Sequence, residues 1–386
     1  MTLRTIEGFG GSTTIANFQN NSPTQRWANT TWCSIQTAIG PRSTYGMRIA
    51  FDSVASGVAS WGLDLRAAGG LGPLASGGAL GCRMSFSSVS SGQYGAISFG
   101  NSDLSALEFT IQRASDGTVN VRRGDGATGT IVASSSADAI PADTFGYLEI
   151  KWNGIGTSKD VTVRWNGVAI ITATSVNIQG GSGTHTCGGI GWFGRTDTQD
   201  LYLLDFTGSA PFTNFLGDME VWSFLPTAAT ATGWTPSAST NLSRVNSNSA
   251  GRPSSATYNG AASNGLEDRF SFTPSMTGSR TILAVASRAC LLQTVASAAT
   301  AAGRLKSGAT TSSGATGTPP ITTSTYQTDL WLTNPNTSGP WTPAAVNALE
   351  VGYQTVSVGS GEVRATQVLL EALARASNSG LNLFVF

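Results

Sequence analysis

Charge is scarce in this sequence. Of 386 residues only 11% are Asp, Glu, Lys or Arg, and the 22 basic residues balance the 22 acidic ones. A chain without a field of one sign offers no electrostatic handle to nucleic acid or to an anionic membrane, so neither is expected as a partner. Long apolar runs are missing as well. No stretch of about 18 apolar residues occurs, which argues against a membrane-spanning helix, and Met1 to Glu7 lack the apolar segment of a secretory signal. The expectation is a soluble chain made in a cytoplasm, with no membrane insertion.

Histidine occurs once, at His185. Cysteine occurs four times, and Cys33, Cys82, Cys187 and Cys290 form neither a CxxC motif nor a Cys/His cluster of metal-ligand spacing. They admit three pairings, and buried free thiols are the expected state. Gly-x-Ser-x-Gly, the phosphate-binding Gly-rich loop and HExxH are all absent. His185 and Cys187, two apart on one strand face, are able to approach each other, yet nothing completes a nucleophilic triad, and a hydrogen-bonded or exposed loop histidine is expected. Asp218 and Glu220 also share a face and form a conceivable carboxylate pair for glycoside hydrolysis. The E-x-D-x-x-E pattern of β-sandwich glucanases is missing, so turn-forming and edge-protecting roles are expected for them and for Asp197, Asp200 and Asp205. Oxygen ligation of Ca²⁺ by this acidic group is the lesser alternative. The sequence therefore predicts no catalytic residue, no metal, no cofactor and no enzyme.

Short strands and tight turns are abundant. Leu148, Ile150 and Trp152 alternate with Tyr147, Glu149 and Lys151, the period of a strand with one buried face. Val161, Val163 and Trp165 repeat the pattern before Asn166-Gly167, the positive-φ pair of a two-residue hairpin turn. Leu107, Phe109 and Ile111 alternate likewise, and Asp116-Gly117 leads into Val119 and Val121. Met47 to Phe51, Trp61 to Leu65, Cys82 to Phe86, Ala96 to Phe99, Gly188 to Phe193, Leu201 to Leu204 and Met219 to Trp222 complete a first all-β unit. No helical stripe interrupts it, which leaves antiparallel sheets facing each other.

The small-residue segment Thr227 to Gly233 marks a boundary, giving two domains, 1–225 and 226–386, each large enough for its own core. In the second, Asp268 to Phe272, Thr281 to Ala286, Tyr326 to Leu332, Leu349 to Tyr353 and Val363 to Ala374 read as strands, the last with competing helix propensity. Thr342-Pro343 is an N-cap followed by Pro at the first helical position, predicting one helical turn. Residues 294–325 read as a long exposed loop or a hairpin with one poor strand. The fold class is thus all-β, two antiparallel β-sandwich domains. Trp152, Trp165 and Trp222 are expected in cores. Trp234 and Trp341, each followed by Thr-Pro in a loop, are the expected exposed tryptophans and the candidate glycan-stacking residues.

Several stretches resemble one family. Tyr147-Leu148-Glu149-Ile150-Lys151, Val161 to Val168, Asp200-Leu201-Tyr202-Leu203-Leu204-Asp205 and Phe215-Leu216-Gly217-Asp218-Met219-Glu220-Val221 are similar to the concanavalin A-like jelly rolls of tailed-bacteriophage virion proteins. Ile6-Glu7-Gly8-Phe9-Gly10 looks like the first strand of such domains. Gly233 to Pro236, Asp268-Arg269-Phe270 and Trp341 to Tyr353 resemble the companion domain of the same proteins, whereas residues 10–145 match only in strand rhythm. The resemblance implies a jelly roll in the first domain and a non-enzymatic virion structural protein, in a tail, tail fibre or baseplate, or alternatively a capsid decoration or head fibre. It implies as partners further copies of itself and other virion proteins, with a location in the particle. The family's lectin relatives suggest a third reading, a receptor-recognition module for host cell-surface glycans.

Overall fold

A computed structural model of the chain describes residues 2–7, 33–37, 45–50, 61–65, 73–88, 95–126, 128–181, 184–205, 215–246, 257–274, 276, 280–295, 298–321 and 324–375. It is an all-β molecule of two antiparallel β-sandwiches. The first pairs an eight-stranded sheet with a six-stranded one. The larger runs Val168–Val176, Lys159–Trp165, Gly146–Trp152, Gly78–Phe86, Arg195–Asp205, Tyr45–Ala50, Cys33–Thr37, and Thr2–Glu7 also pairs with Arg195–Asp205. The smaller runs Trp61–Asp64, Gly189–Phe193, Gly95–Gly100, Leu107–Arg113, Val119–Arg123, Thr130–Ser134.

Period-2 alternation sets what each strand of this sandwich buries. Leu148, Ile150 and Trp152 enter a core shared with Ile97, Phe99 and Phe109 of the opposite sheet. There Phe99 stacks on Phe109 at 4.2 Å and Trp152 tilts against Phe99 at 4.7 Å. The expected hairpin forms: Trp165 pairs with Val168, and Asn166 and Gly167 take φ of 50° and 83°. The Asn166 side chain also accepts the Tyr147 N–H at 2.8 Å, which ties the turn to the preceding strand.

The second sandwich pairs a six-stranded sheet with a five-stranded one. The first of these runs Thr235–Pro236, Asn259–Ala261, Val363–Arg375, Thr281–Gln293, Thr325–Trp331, with Met219–Phe224 also on Val363–Arg375. The other runs Pro226–Thr232, Glu267–Phe272, Glu350–Ser357, Thr300–Ser307, Thr310–Ser313. Val363–Arg375 is a strand despite its helix-favouring composition, because it is buried on both faces and so loses polar alternation. The expected helical turn is Pro343–Asn347, where the Thr342 hydroxyl accepts the Ala345 N–H at 3.1 Å. Within 294–325 the hairpin alternative is the one seen, as Thr300–Ser307 and Thr310–Ser313.

Two strand assignments are corrected. Met219–Phe224, expected to close the first sandwich, pairs instead with Val363–Arg375 of the second. The small-residue segment expected to mark the domain boundary, and not counted among the strands, is the edge strand Pro226–Thr232, paired with Glu267–Phe272. A backbone ladder needs no apolar side chains, so a largely exposed edge strand leaves little trace in composition.

The sandwiches meet face to face. Ala79, Tyr147, Tyr202 and Leu204 on the outer face of the eight-stranded sheet share a buried cluster with Met219, Val221, Ala284 and Leu373. Residues 215–218 are clamped there. Arg83 Nη2 donates to Asp218 at 2.6 Å, Gly217 N to Glu149 at 2.9 Å, and Arg375 Nη2 to Leu216 O at 2.7 Å. The guanidinium of Arg164 lies over the Phe215 ring at 4.2 Å.

Candidate functional site

The two tryptophans expected at the surface are buried, Trp234 at 2% and Trp341 at 3% exposure. Trp234 Nε1 donates to Leu266 O at 2.9 Å, and its ring meets Tyr353 edge-on at 4.5 Å. Trp341 Nε1 donates to Trp331 O at 2.9 Å. Each is a plug that packs its Thr-Pro segment over the second core, with its one polar group satisfied by a backbone carbonyl. Neither presents a ring face to a sugar, which corrects the stacking role expected for them.

His185 is held on both nitrogens. Its Nδ1 lies 2.9 Å from Oε1 of the buried Glu108, and its Nε2 lies 2.6 Å from Gln179 Nε2. Glu108 Oε2 in turn accepts the N–H groups of Gly180 and Gly181 at 3.0 and 3.1 Å. A neutral imidazole with its proton on Nδ1 satisfies every member: it donates to Glu108 and accepts the Gln179 amide. This network pins Gln179, Gly180, Gly181 and His185 to the Leu107–Arg113 strand. Cys187 takes no part in it; its thiol contacts Gly189 O at 3.5 Å and is pushed up to about 12 by burial. The Cys/His approach is therefore not made.

Asp218 and Glu220 are separated by their partners. Asp218 is bound to Arg83 of the first sandwich, and Glu220 accepts from Arg280 and from Trp222 Nε1. The side chains of Asp197, Asp200 and Asp205 lie outside the described ones. Among the described residues no three His, Cys, Asp or Glu side chains gather as a metal site.

The arrangement best suited to a ligand lies on Met219–Phe224. Met219 and Val221 point into the joint, so Glu220, Trp222 and Phe224 share the opposite face. The Trp222 and Phe224 rings are half-buried against the rim of the second core, 6.1 Å apart and within 26° of parallel. Trp222 Nε1 donates to Glu220 Oε2 at 3.0 Å, Arg280 Nη1 donates to the same oxygen, and the Arg280 guanidinium stands 4.8 Å from the Trp222 ring centre. An apolar ledge thus has a guanidinium held over its Trp222 ring and a carboxylate at its border. Rings of this kind stack on the C–H face of a pyranose, while the charged groups take hydroxyls as donors and acceptors. Sequence reasoning placed Trp222 in a core. The i, i+2, i+4 spacing of Glu220, Trp222 and Phe224 does mark a common face, but apolar residues on both faces of the strand hide which one is sealed.

No protein-family profile and no curated protein sequence matches the chain. Solved structures give partial likenesses. Galectin LEC-6 of Caenorhabditis elegans is 15% identical, with a TM-score of 0.25 over 34% of this chain and 86% of that one. The carbohydrate-binding module CBM66 of Bacillus subtilis is 12% identical, with a TM-score of 0.25 over 45% and 91%. The alginate lyase Aly36B is 10% identical, with a TM-score of 0.32 over 53% and 98%. Likenesses this low assign neither ligand nor reaction to the chain.

Proposed function

We propose that this chain is a non-enzymatic glycan-binding protein whose sugar site is the Trp222–Phe224 ledge with Arg280 and Glu220. The carrying observation is the near-parallel ring pair, half-buried on an edge strand, with a guanidinium held over the Trp222 ring and a carboxylate at its border. Half-burial holds the rings in place, so little side-chain entropy is lost on binding. The carboxylates weighed for hydrolysis support the same reading, since Asp218 and Glu220 are each bound to a different arginine. Repeated copies on one particle would convert a weak single contact into an avid one. The test is binding to immobilised polysaccharides and cell-wall fragments by the intact chain and by Trp222→Ala. Retention by the intact chain and at least about tenfold weaker retention by the variant are expected, a loss of roughly 1.4 kcal/mol. Equal retention by both removes the ledge from the account.

A second reading, a virion structural protein of a tail, tail fibre or baseplate, or of the capsid surface, rests on the sequence resemblance. One observation favours it: Tyr147, Tyr202, Leu204, Leu216, Met219 and Val221, all from the resembling stretches, lie in the buried joint between the two sandwiches. It is compatible with glycan binding, and implies self-association and contacts with other particle proteins. Gold-labelled antibody on particles from the source culture tests it: label on tails or heads supports the reading, and unlabelled particles reject it.

A further inference from the structure

Glu149 lies on the outer face of the eight-stranded sheet, beneath the second sandwich, and is sealed from solvent. Its Oε1 accepts the Tyr202 hydroxyl at 2.7 Å and the Gly217 N–H at 2.9 Å. Its Oε2 is equally buried and has no hydrogen-bond partner. Glu149 lies on the sheet face whose Tyr147, two residues before it, shares one buried cluster with Tyr202, Leu204, Leu216 and Met219. A buried carboxylate oxygen without a donor is costly, whereas the neutral acid carries no charge there and keeps both contacts at Oε1.

We propose that Glu149 is a proton-operated latch of the joint: as a neutral acid it lets residues 215–218 seat on the first sandwich, and as a carboxylate it loosens that seat.

Gly217 is where the latch acts. It sits at φ 82°, a left-handed conformation natural to glycine, and from there its N–H reaches Glu149. The flanking contacts belong to the same short segment: Leu216 N donates to the Tyr202 hydroxyl at 3.3 Å, and Asp218 holds Arg83. The charged and titratable groups around Glu149 come from both sides. From the first sandwich, Tyr147 and Tyr202 are phenols held well above their ordinary range by burial, so they stay protonated. Arg164 from the neighbouring strand and Arg375 from the second sandwich favour the ionised acid, but Arg164 is stacked on Phe215 and Arg375 is bonded to Leu216 O. Lys151, whose Nζ lies 5.0 Å from the Phe215 ring centre, and the paired Arg83 and Asp218 complete the set. Burial outweighs the arginines and pushes the Glu149 carboxyl above the usual range. A folded-state value raised in this way gives stability that is complete below the ordinary carboxylate value and is lost as pH rises through the raised one.

The test is hydrogen exchange of the Leu216 and Gly217 amides, expressed as protection relative to core amides of both sandwiches, in the full chain between roughly pH 5 and pH 8. Protection of this pair is expected to fall about tenfold as pH rises in the intact chain. In Glu149→Gln, isosteric with the neutral acid, it is expected to stay constant. Tyr202→Phe, which removes a donor that favours the ionised form, is expected to move the fall to higher pH. Constant protection in the intact chain, the same fall in Glu149→Gln, or a fall moved to lower pH in Tyr202→Phe overturns the proposal.

Discussion

Arg288 and Glu371 stand 2.8 Å apart on adjacent strands of the second sandwich, with side chains 1% and 0% exposed. Glu371 also accepts the Ser223 hydroxyl at 2.7 Å, so three neighbouring strands meet at one buried carboxylate. Removing one member of such a pair strands the other charge. Arg288→Met is expected to lower the unfolding free energy by about 3–5 kcal/mol, while Arg288→Met with Glu371→Leu is expected to lie much nearer the parent. Urea unfolding of the two variants checks this; equal loss in both would mean that packing, not charge, governs the site.

A second buried carboxylate organises the other end of the same sandwich. Asp268 accepts the Trp234 N–H at 2.9 Å, the Asn241 and Asn259 amides at 2.9 and 3.0 Å, and the Tyr353 hydroxyl at 3.0 Å. Burial pushes its carboxyl up despite these donors, and Asp329 is shifted the same way, again chiefly by burial. Folded-state values above the unfolded ones mean stability that is complete below the ordinary carboxylate value of about 4 and is lost as pH rises through the raised values. Unfolding midpoints measured from about pH 4 upward are expected to decline over that window, with a shallower decline in Asp329→Asn. A rise over the same window would contradict the assignment.

The thiols give a cleaner readout. Cys187 and Cys290 are fully buried and pushed up to about 12, chiefly by burial. Neither is expected to react with iodoacetamide at about pH 8 in the native protein, and both are expected to react once it is unfolded in urea. Mass mapping of labelled peptides decides; native labelling of either would show that the backbone around it opens.

Gly81 tests how tightly the joint is built. A Cβ there would collide with the Tyr202 ring and crowd the Tyr147 hydroxyl. Gly81→Ala is expected to cost about 1–3 kcal/mol through overpacking and to increase exchange at Leu216 and Gly217 more than in either core. Uniform loosening across the chain would place the strain elsewhere.

The sequence was most informative where a strand is buried on one face and its partner is near in the chain. Leu148, Ile150 and Trp152, followed by Val161, Val163 and Trp165 and then Asn166-Gly167, announce two strands and a turn, because alternation and positive φ are local properties. Met219–Phe224 shows the limit: its partner lies about 150 residues away, and only that pairing tells which sandwich owns it. Trp234 and Trp341 mislead for a related reason. A tryptophan beside Thr-Pro reads as a loop tip, and whether the loop folds inward depends on distant carbonyls, those of Leu266 and Trp331. The Trp222–Phe224 ledge was hidden by the same ambiguity, since both faces of its strand carry apolar residues. Glu149 alternates like any outward polar residue, and nothing nearby reveals that a second sandwich covers it.

The glycan-binding account turns on Trp222, and its indole N–H offers the most direct measurement. In a nitrogen-15-labelled sample, with the resonance assigned by its loss in Trp222→Phe, titration with a polysaccharide retained by the intact chain is expected to shift the Trp222 indole signal in a saturable way. The buried Trp234 and Trp341 indoles should stay in place. Saturable binding that leaves the Trp222 signal unmoved would contradict the account and put the sugar elsewhere on the molecule.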